Sequence, residues 1–216
     1  MLFRSWIEQG RDISVSADAF ARLADAMQFT PAERAYLFQL TRRRDPSEPP
    51  AGIEEESGGA GILNDAVNAM AAPAYLLDRL WRARAWNEPA AQLFAGWLGG
   101  AERCLLAYVF LDRAARAFII DWENRARRLV AEFRADTGRS PDDPALSALV
   151  ERLQAGSADF TRFWSDHAVL AREGGARMFN HPRDGLRHYQ QATLSPAGRP
   201  DHKLVMLLPE RNAGPV

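Results

Sequence analysis

The chain has 216 residues, 47% hydrophobic and 25% charged, a balance that lets a globular protein bury its own core and excludes disorder throughout. Twenty-seven Lys and Arg against 28 Asp and Glu leave a formal charge of −1, so no global field draws it to nucleic acid or to a membrane surface, and such contacts would need a local patch. Cys104, the single cysteine, can form no internal disulfide, which suits a reducing cytoplasm.

The opening residues carry no leader pattern, since Glu8, Gln9, Gly10, Arg11 and Asp12 leave no room for an apolar h-region. Leu2 to Gly10 is a short helix candidate with Phe3, Trp6 and Ile7 on one side. Ser16 then precedes Ala17 to Met27, where Phe20, Leu23, Ala24 and Met27 recur at the spacing of one helical face. Thr30-Pro31-Ala32-Glu33 has the form of a capping box, with Pro at the first helical position, and Leu37, Phe38 and Leu40 give that second helix its apolar side. Arg42-Arg43-Arg44 suits a solvated helix end better than a phosphate clamp. Residues 1–44 are therefore a helical region. Residues 45–62, rich in Pro, Gly, Ser and Glu, form a tether.

Residues 63–216 are expected to be one mixed domain. Ala74 to Leu77 and Trp81 to Trp86 are strands, the second placing Trp81, Ala83 and Ala85 on one face and Arg82, Arg84 and Trp86 on the other, with a turn at Asp78-Arg79. Asn87 caps a helix that Gly99-Gly100 stops. The longest apolar run, Cys104 to Leu111, is far short of the roughly 18 residues a membrane-spanning helix needs, so no membrane partner is expected. Phe118, Trp122, Leu129, Val130 and Phe133 recur at helical spacing, Asp143-Pro144 starts a further helix, and Ser157 starts another carrying Phe160, Phe163 and Trp164. Strands follow at Arg177 to Asn180, Leu186 to Ala192 and Leu204 to Leu208, the last apolar throughout like a central strand buried on both sides. The order of elements predicts an α+β fold: an antiparallel sheet with helices packed on one face.

Catalytic signals are weak. No nucleophile elbow, zinc-protease helix, Cys pair or phosphate loop is present, and no base–orienter–nucleophile set is visible around His181, so an enzyme is not expected. His181 and His188 with Asp166 or Asp201 match no compact zinc spacing, so no metal is expected, and Cys104 in its apolar run is expected to be inert. The rings carry more information. Singly they are what any core contains. As a set, bulky rings facing one sheet leave gaps that suit an apolar pocket with one or two polar anchors. Arg134, one residue past Phe133, is the anchor expected for an acidic head group.

These residues resemble a known arrangement. Phe3-Arg4-Ser5-Trp6-Ile7-Glu8-Gln9-Gly10-Arg11-Asp12 resembles the end of the recognition helix of Xre-type helix-turn-helix regulators, and Leu23 to Arg34 resembles that domain's last helices. Pro73-Ala74-Tyr75-Leu76-Leu77-Asp78, Ala85-Trp86-Asn87, Asp121-Trp122-Glu123, Ser157 to Trp164, and His181-Pro182 with Gly185 resemble the MmyB-like transcription regulator ligand-binding domain, which has a PAS-like fold. The resemblance implies a cytoplasmic bacterial regulator, not an enzyme, that binds an apolar, fatty-acid-like small molecule and no other cofactor. Phe94, Trp97, Phe110, Trp122, Arg134, Phe160, Trp164 and His181 are the residues expected around the ligand. Ligand would shift the two halves between orientations and so change operator affinity. Symmetric operators imply a homodimer. Met1 falls inside the matched recognition helix, so the DNA-binding part is expected to be N-terminally truncated. Arg4 and Arg11 then reach phosphates only, and specific DNA reading is impaired unless the upstream helices are restored. The alternative is a stand-alone small-molecule-sensing and dimerisation module that does not bind DNA.

Overall fold

The structure, a computed structural model, describes residues 15–41, 43, 45–47, 59–138, 143–166, 175–197, 199 and 201–210. The chain divides into two compact units, Met1–Glu55 and Glu56–Val216.

In the first unit, α1 (Ala17–Ala26) starts where the Ser16 hydroxyl accepts from the Ala19 N–H (3.3 Å), and α2 (Pro31–Thr41) starts on the expected capping box. The Glu33 N–H donates to Thr30 Oγ1 (3.3 Å) and the Thr30 N–H to Glu33 Oε2 (2.8 Å). The apolar face read for α1 is only partly covered: Ala24 is buried, whereas Leu23 and Met27 are 47% and 60% exposed. Arg34 ties the unit together, donating to Asp25 Oδ1 (2.5 Å) and, through both Nη2 (2.9 Å) and Nε, to the buried carboxylate of Asp45. That hydrogen bonding to Arg34 holds the Asp45 carboxyl well below the usual carboxylate range, against the opposing effect of burial. The Leu2–Gly10 helix candidate, Arg4 and Arg11 lie outside the described residues.

The second unit opens with α3 (Gly59–Asn68), which begins inside the stretch 45–62 read as a tether. Strands β1 (Ala74–Leu77), β2 (Ala83–Trp86), β3 (Ala176–His181), β4 (Gly185–Leu194) and β5 (Lys203–Pro209) form one antiparallel sheet in the order β2-β1-β5-β4-β3. The apolar run Leu204 to Leu208 is the central strand, as expected. Strand β2 departs from simple alternation. Its register with β1 slips between Leu76 and Leu77, so Arg84 bulges out, Ala83 and Trp86 share the inner core, and Ala85 belongs to the opposite face.

Helices α4 (Glu88–Leu93), α5 (Ala95–Leu98), α6 (Leu105–Leu111), α7 (Arg113–Phe118), α8 (Trp122–Thr137), α9 (Pro144–Gly156) and α10 (Ala158–Ser165) contribute to one large core on the sheet's inner face. Asn87, Asp112, Asp143 and Ser157 cap α4, α7, α9 and α10 with their side chains. The periodic run Phe118 to Phe133 is two helices rather than one. Between them Asp121 turns left-handed (φ 52°) and the Ile120 N–H donates to the Met178 carbonyl (3.2 Å), covering the open edge of β3. The edge of β2 is covered likewise, its Ala83 N–H donating to the Arg103 carbonyl (2.8 Å). Helix α3 builds a second, smaller core on the outer face, where Val67 and its neighbours meet Ala74, Leu76, Ala85 and Leu204.

Candidate ligand-binding site

The rings that the sequence groups together divide into two networks. In the first, Phe94 lies 5.8 Å from Trp97, 5.8 Å from Phe118 and 5.3 Å from Phe179, ring centre to ring centre. Tyr75 stands edge-on to Phe94 and Trp97 at 5.7 and 5.4 Å, and Phe179 continues to Tyr189 at 6.1 Å. In the second, Phe110 meets Trp122, Phe160 and Phe163 at 5.7, 5.1 and 6.2 Å, Phe160 stacks on Trp164 at 5.6 Å, and Phe133 joins Trp164 to Trp81. These are contact distances. At each of these points one ring fills the space beside the next. Phe94 and Trp97 therefore lie against the sheet, whereas Phe110, Trp122, Phe160 and Trp164 pack among α6, α8 and α10, with the Trp122 indole N–H donating to the Val109 carbonyl (3.0 Å).

Arg134 closes the end of α10. Its Nη1 donates to the Asp166 carbonyl (2.9 Å) and its Nη2 to those of Phe163 (2.8 Å) and Trp164 (2.7 Å), while the guanidinium lies 5.3 Å from the Trp164 ring centre. Three of the roughly five N–H donors of a guanidinium thus satisfy carbonyls that a helix end leaves open.

His181 ends β3 on the inner face and is 5% exposed. Its Nε2 lies 3.2 Å from the Gln92 carbonyl, and its Nδ1 lies 3.1 Å from the Asp184 N–H and 2.9 Å from Asp184 Oδ2. The imidazole forms part of the wall of an open groove of about 760 Å³ between α4 and the β3–β4 turn, with Glu88, Gln92, Arg183, Arg187 and Tyr189 around it. Tyr189 belongs to this groove and to the first ring network at once, so the polar mouth adjoins the aromatic interior.

His188 pairs with Met178 on the outer face, the side opposite His181, and among the described residues no cluster of three or more His, Cys, Asp or Glu side chains gathers. His167 lies outside the described residues. Cys104 is buried and its Sγ lies 3.7 Å from the Leu80 carbonyl; burial raises its thiol above the ordinary value. No helix among the described residues is long and apolar enough to cross a membrane.

Two polar residues of the interior escaped sequence reasoning. Tyr75 lies on the inner face of β1, and Arg177 lies on the inner face of β3 with Phe179 and His181. The signal for Arg177 was the period of two: positions 177, 179 and 181 point the same way in a strand.

A five-stranded antiparallel sheet in the order β2-β1-β5-β4-β3, with an aromatic inner face beneath helices, is a PAS-like α+β fold. Residues 62–213 match the model of the MmyB-like transcription regulator ligand binding domain, and the chain belongs to that family. It is a family of regulator domains rather than of enzymes, and it gives the chain a regulatory, ligand-sensing role. No curated protein matches the chain.

Proposed function

We propose that this protein is a cytoplasmic transcription regulator that binds operator DNA and changes its affinity when an apolar, fatty-acid-like molecule enters the unit Glu56–Val216. One observation carries the ligand half of this reading: the groove beside His181 shares Tyr189 with the ring network of Phe94, Trp97, Phe118 and Phe179. A mouth with polar groups over an aromatic interior suits a molecule with one polar end. Phe94, Trp97 and His181 are the residues we assign to it. Phe110, Trp122, Phe160 and Trp164 bound the deeper side. The ligand acts through its differential affinity for two conformations, and operator affinity changes by no more than that ratio.

The helical N-terminal region meets DNA with Arg4 and Arg11 on phosphates only, contacts that carry no sequence information, so specific operator reading is impaired. The near-neutral balance of the chain, −1, favours the rival reading of a sensing module without DNA binding, because it supplies little non-specific attraction. Native mass spectrometry of the full chain purified from cells tests the first half, with a co-purified mass in the fatty-acid range as the expected result. Selection from random duplex DNA followed by a mobility shift tests the second. A salt-dependent shift that competitor DNA removes supports the regulator with impaired specific reading, a competitor-resistant band overturns that impairment, and no shift at all with the lipid present supports the module.

A further inference from the structure

The β3–β4 turn sets one nitrogen of His181 against two groups of opposite demand. The imidazole is buried at the end of β3, and its Nε2 lies 3.2 Å from the carbonyl of Gln92 in the last turn of α4, where a helix end leaves carbonyls open. Nδ1 lies 3.1 Å from the Asp184 backbone nitrogen, a donor, and 2.9 Å from Asp184 Oδ2, an acceptor. No single state of the ring serves both. With Nδ1 bare, the Asp184 N–H donates to it and the carboxylate faces a lone pair. With Nδ1 protonated, the ring donates to the carboxylate and the amide faces another N–H.

The turn has the means to follow the ring. Arg187 Nη2 lies 3.5 Å from the same Asp184 Oδ2, so the carboxylate has a second cation to turn to. Gly185 closes the turn at φ 69°, in the left-handed region, and open space lies where a Cβ would stand, so no side chain there resists rotation of the 184–185 peptide. Around the imidazole, α4 brings Glu88, which accepts from Gln92 Nε2 (3.0 Å), the turn brings Arg183, and β4 brings Arg187 and Tyr189, whose phenol burial raises and keeps neutral. The segment before β1 and the end of β5 bring only Pro73 and Pro209. Asp184 is thus the one carboxylate paired with the ring among the described residues.

We propose that His181 and Asp184 form a proton-operated switch in the β3–β4 turn, one that resets the mouth of the groove as the surroundings acidify. Nε2 keeps its proton on the Gln92 carbonyl in both states, so the tether to α4 persists. In the neutral state Nδ1 accepts from the Asp184 N–H and the carboxylate turns to Arg187. A proton taken from solvent onto Nδ1 draws the carboxylate to the ring, releases Arg187 into the groove and turns the Asp184 N–H out to water. The switch belongs to the protein without ligand, so it goes beyond the apolar-ligand reading and does not depend on it.

The test is a heteronuclear NMR titration of the full-length protein from about pH 8 to about pH 5, the interval in which histidines ordinarily change charge. At the upper end the His181 ring is expected to carry its proton on Nε2. On acidification the ring and the Asp184 amide should shift together, with one midpoint. D184A keeps the amide and removes the carboxylate, so its ring should titrate about one pH unit lower, roughly a tenfold loss of proton affinity. In H181Q the Asp184 amide should no longer follow that midpoint. Should H181Q not fold, D184A decides, since Asp184 is half-exposed and its side chain pairs with His181 and Arg187 alone among the described residues. A neutral ring with its proton on Nδ1, a ring that does not titrate in this interval, an Asp184 amide indifferent to the ring, or a midpoint unchanged in D184A overturns the switch.

Discussion

Asn87 shows how much one side chain can organise. It is 2% exposed; its Oδ1 accepts from the N–H groups of Ala74 and Ala90, and its Nδ2 donates to the carbonyls of Met70 and Ala72. These bonds use the full capacity of an amide and join the segment after α3, the start of β1 and the first turn of α4. The cap on α4 was legible from Asn87 standing before Glu88-Pro89, because capping is local chemistry. The bonds to Met70, Ala72 and Ala74 span 13 to 17 residues and follow only from the tertiary fold. Asn87→Ala leaves buried backbone groups unpaired and is expected to destabilise the second unit by about 3 kcal/mol, read as a lowered midpoint in urea unfolding. An unchanged midpoint would mean that water replaces the amide.

Helices α1 and α2 form as their capping patterns require, and the Arg34–Asp45 pair gives the first unit a pH dependence. The folded state binds the Asp45 proton less readily than the unfolded chain does, so the pair contributes fully above the ordinary carboxyl pKa of about 3.9 and is lost as pH falls below it. At pH 6, amides of residues 17–41 in Asp45→Asn are expected to exchange faster than in wild type, and the difference should begin to shrink only as pH falls below about 3.9. Equal exchange at pH 6 would show that the pair contributes nothing. Other elements resisted a local reading. The α7–α8 break follows from Ile120 pairing with β3, a partner far along the chain, so helical periodicity runs straight through it. The β2 bulge follows from register with β1, which alternation alone does not encode.

In the whole second unit, α3 covers only part of the sheet's outer face. The outward positions of β3, β4 and β5 carry no Asp, Glu, Lys or Arg, and Met178, Leu186, Leu194 and Leu208 are 41%, 54%, 53% and 45% exposed there. Among the described residues only Glu210, just past the end of β5 and accepting from Gln190 (2.9 Å), brings a formal charge to this face, so the rest of it does not repel a second copy of itself, and a second copy is the occupant the homodimer reading calls for. Three strands roughly 5 Å apart offer a few hundred Å² of footprint, below the roughly 800 Å² per partner of a standard interface, so this contact alone suits a weak dimer. Sedimentation velocity is expected to show association at tens of micromolar that Leu194→Glu abolishes. Association unchanged in that variant would move the interface elsewhere.

Sequence by itself determined the starts of α1, α2, α4, α9 and α10, the central place of β5, the strand positions and the α+β class, because capping and periodicity act within a few residues. The residues around a ligand were another matter. Phe94 and Trp97 parted from Phe110, Trp122, Phe160 and Trp164, and Arg134 went to the end of α10. Composition can count rings and guanidiniums. Only the packing of helices on the sheet decided which rings touch and what each guanidinium meets.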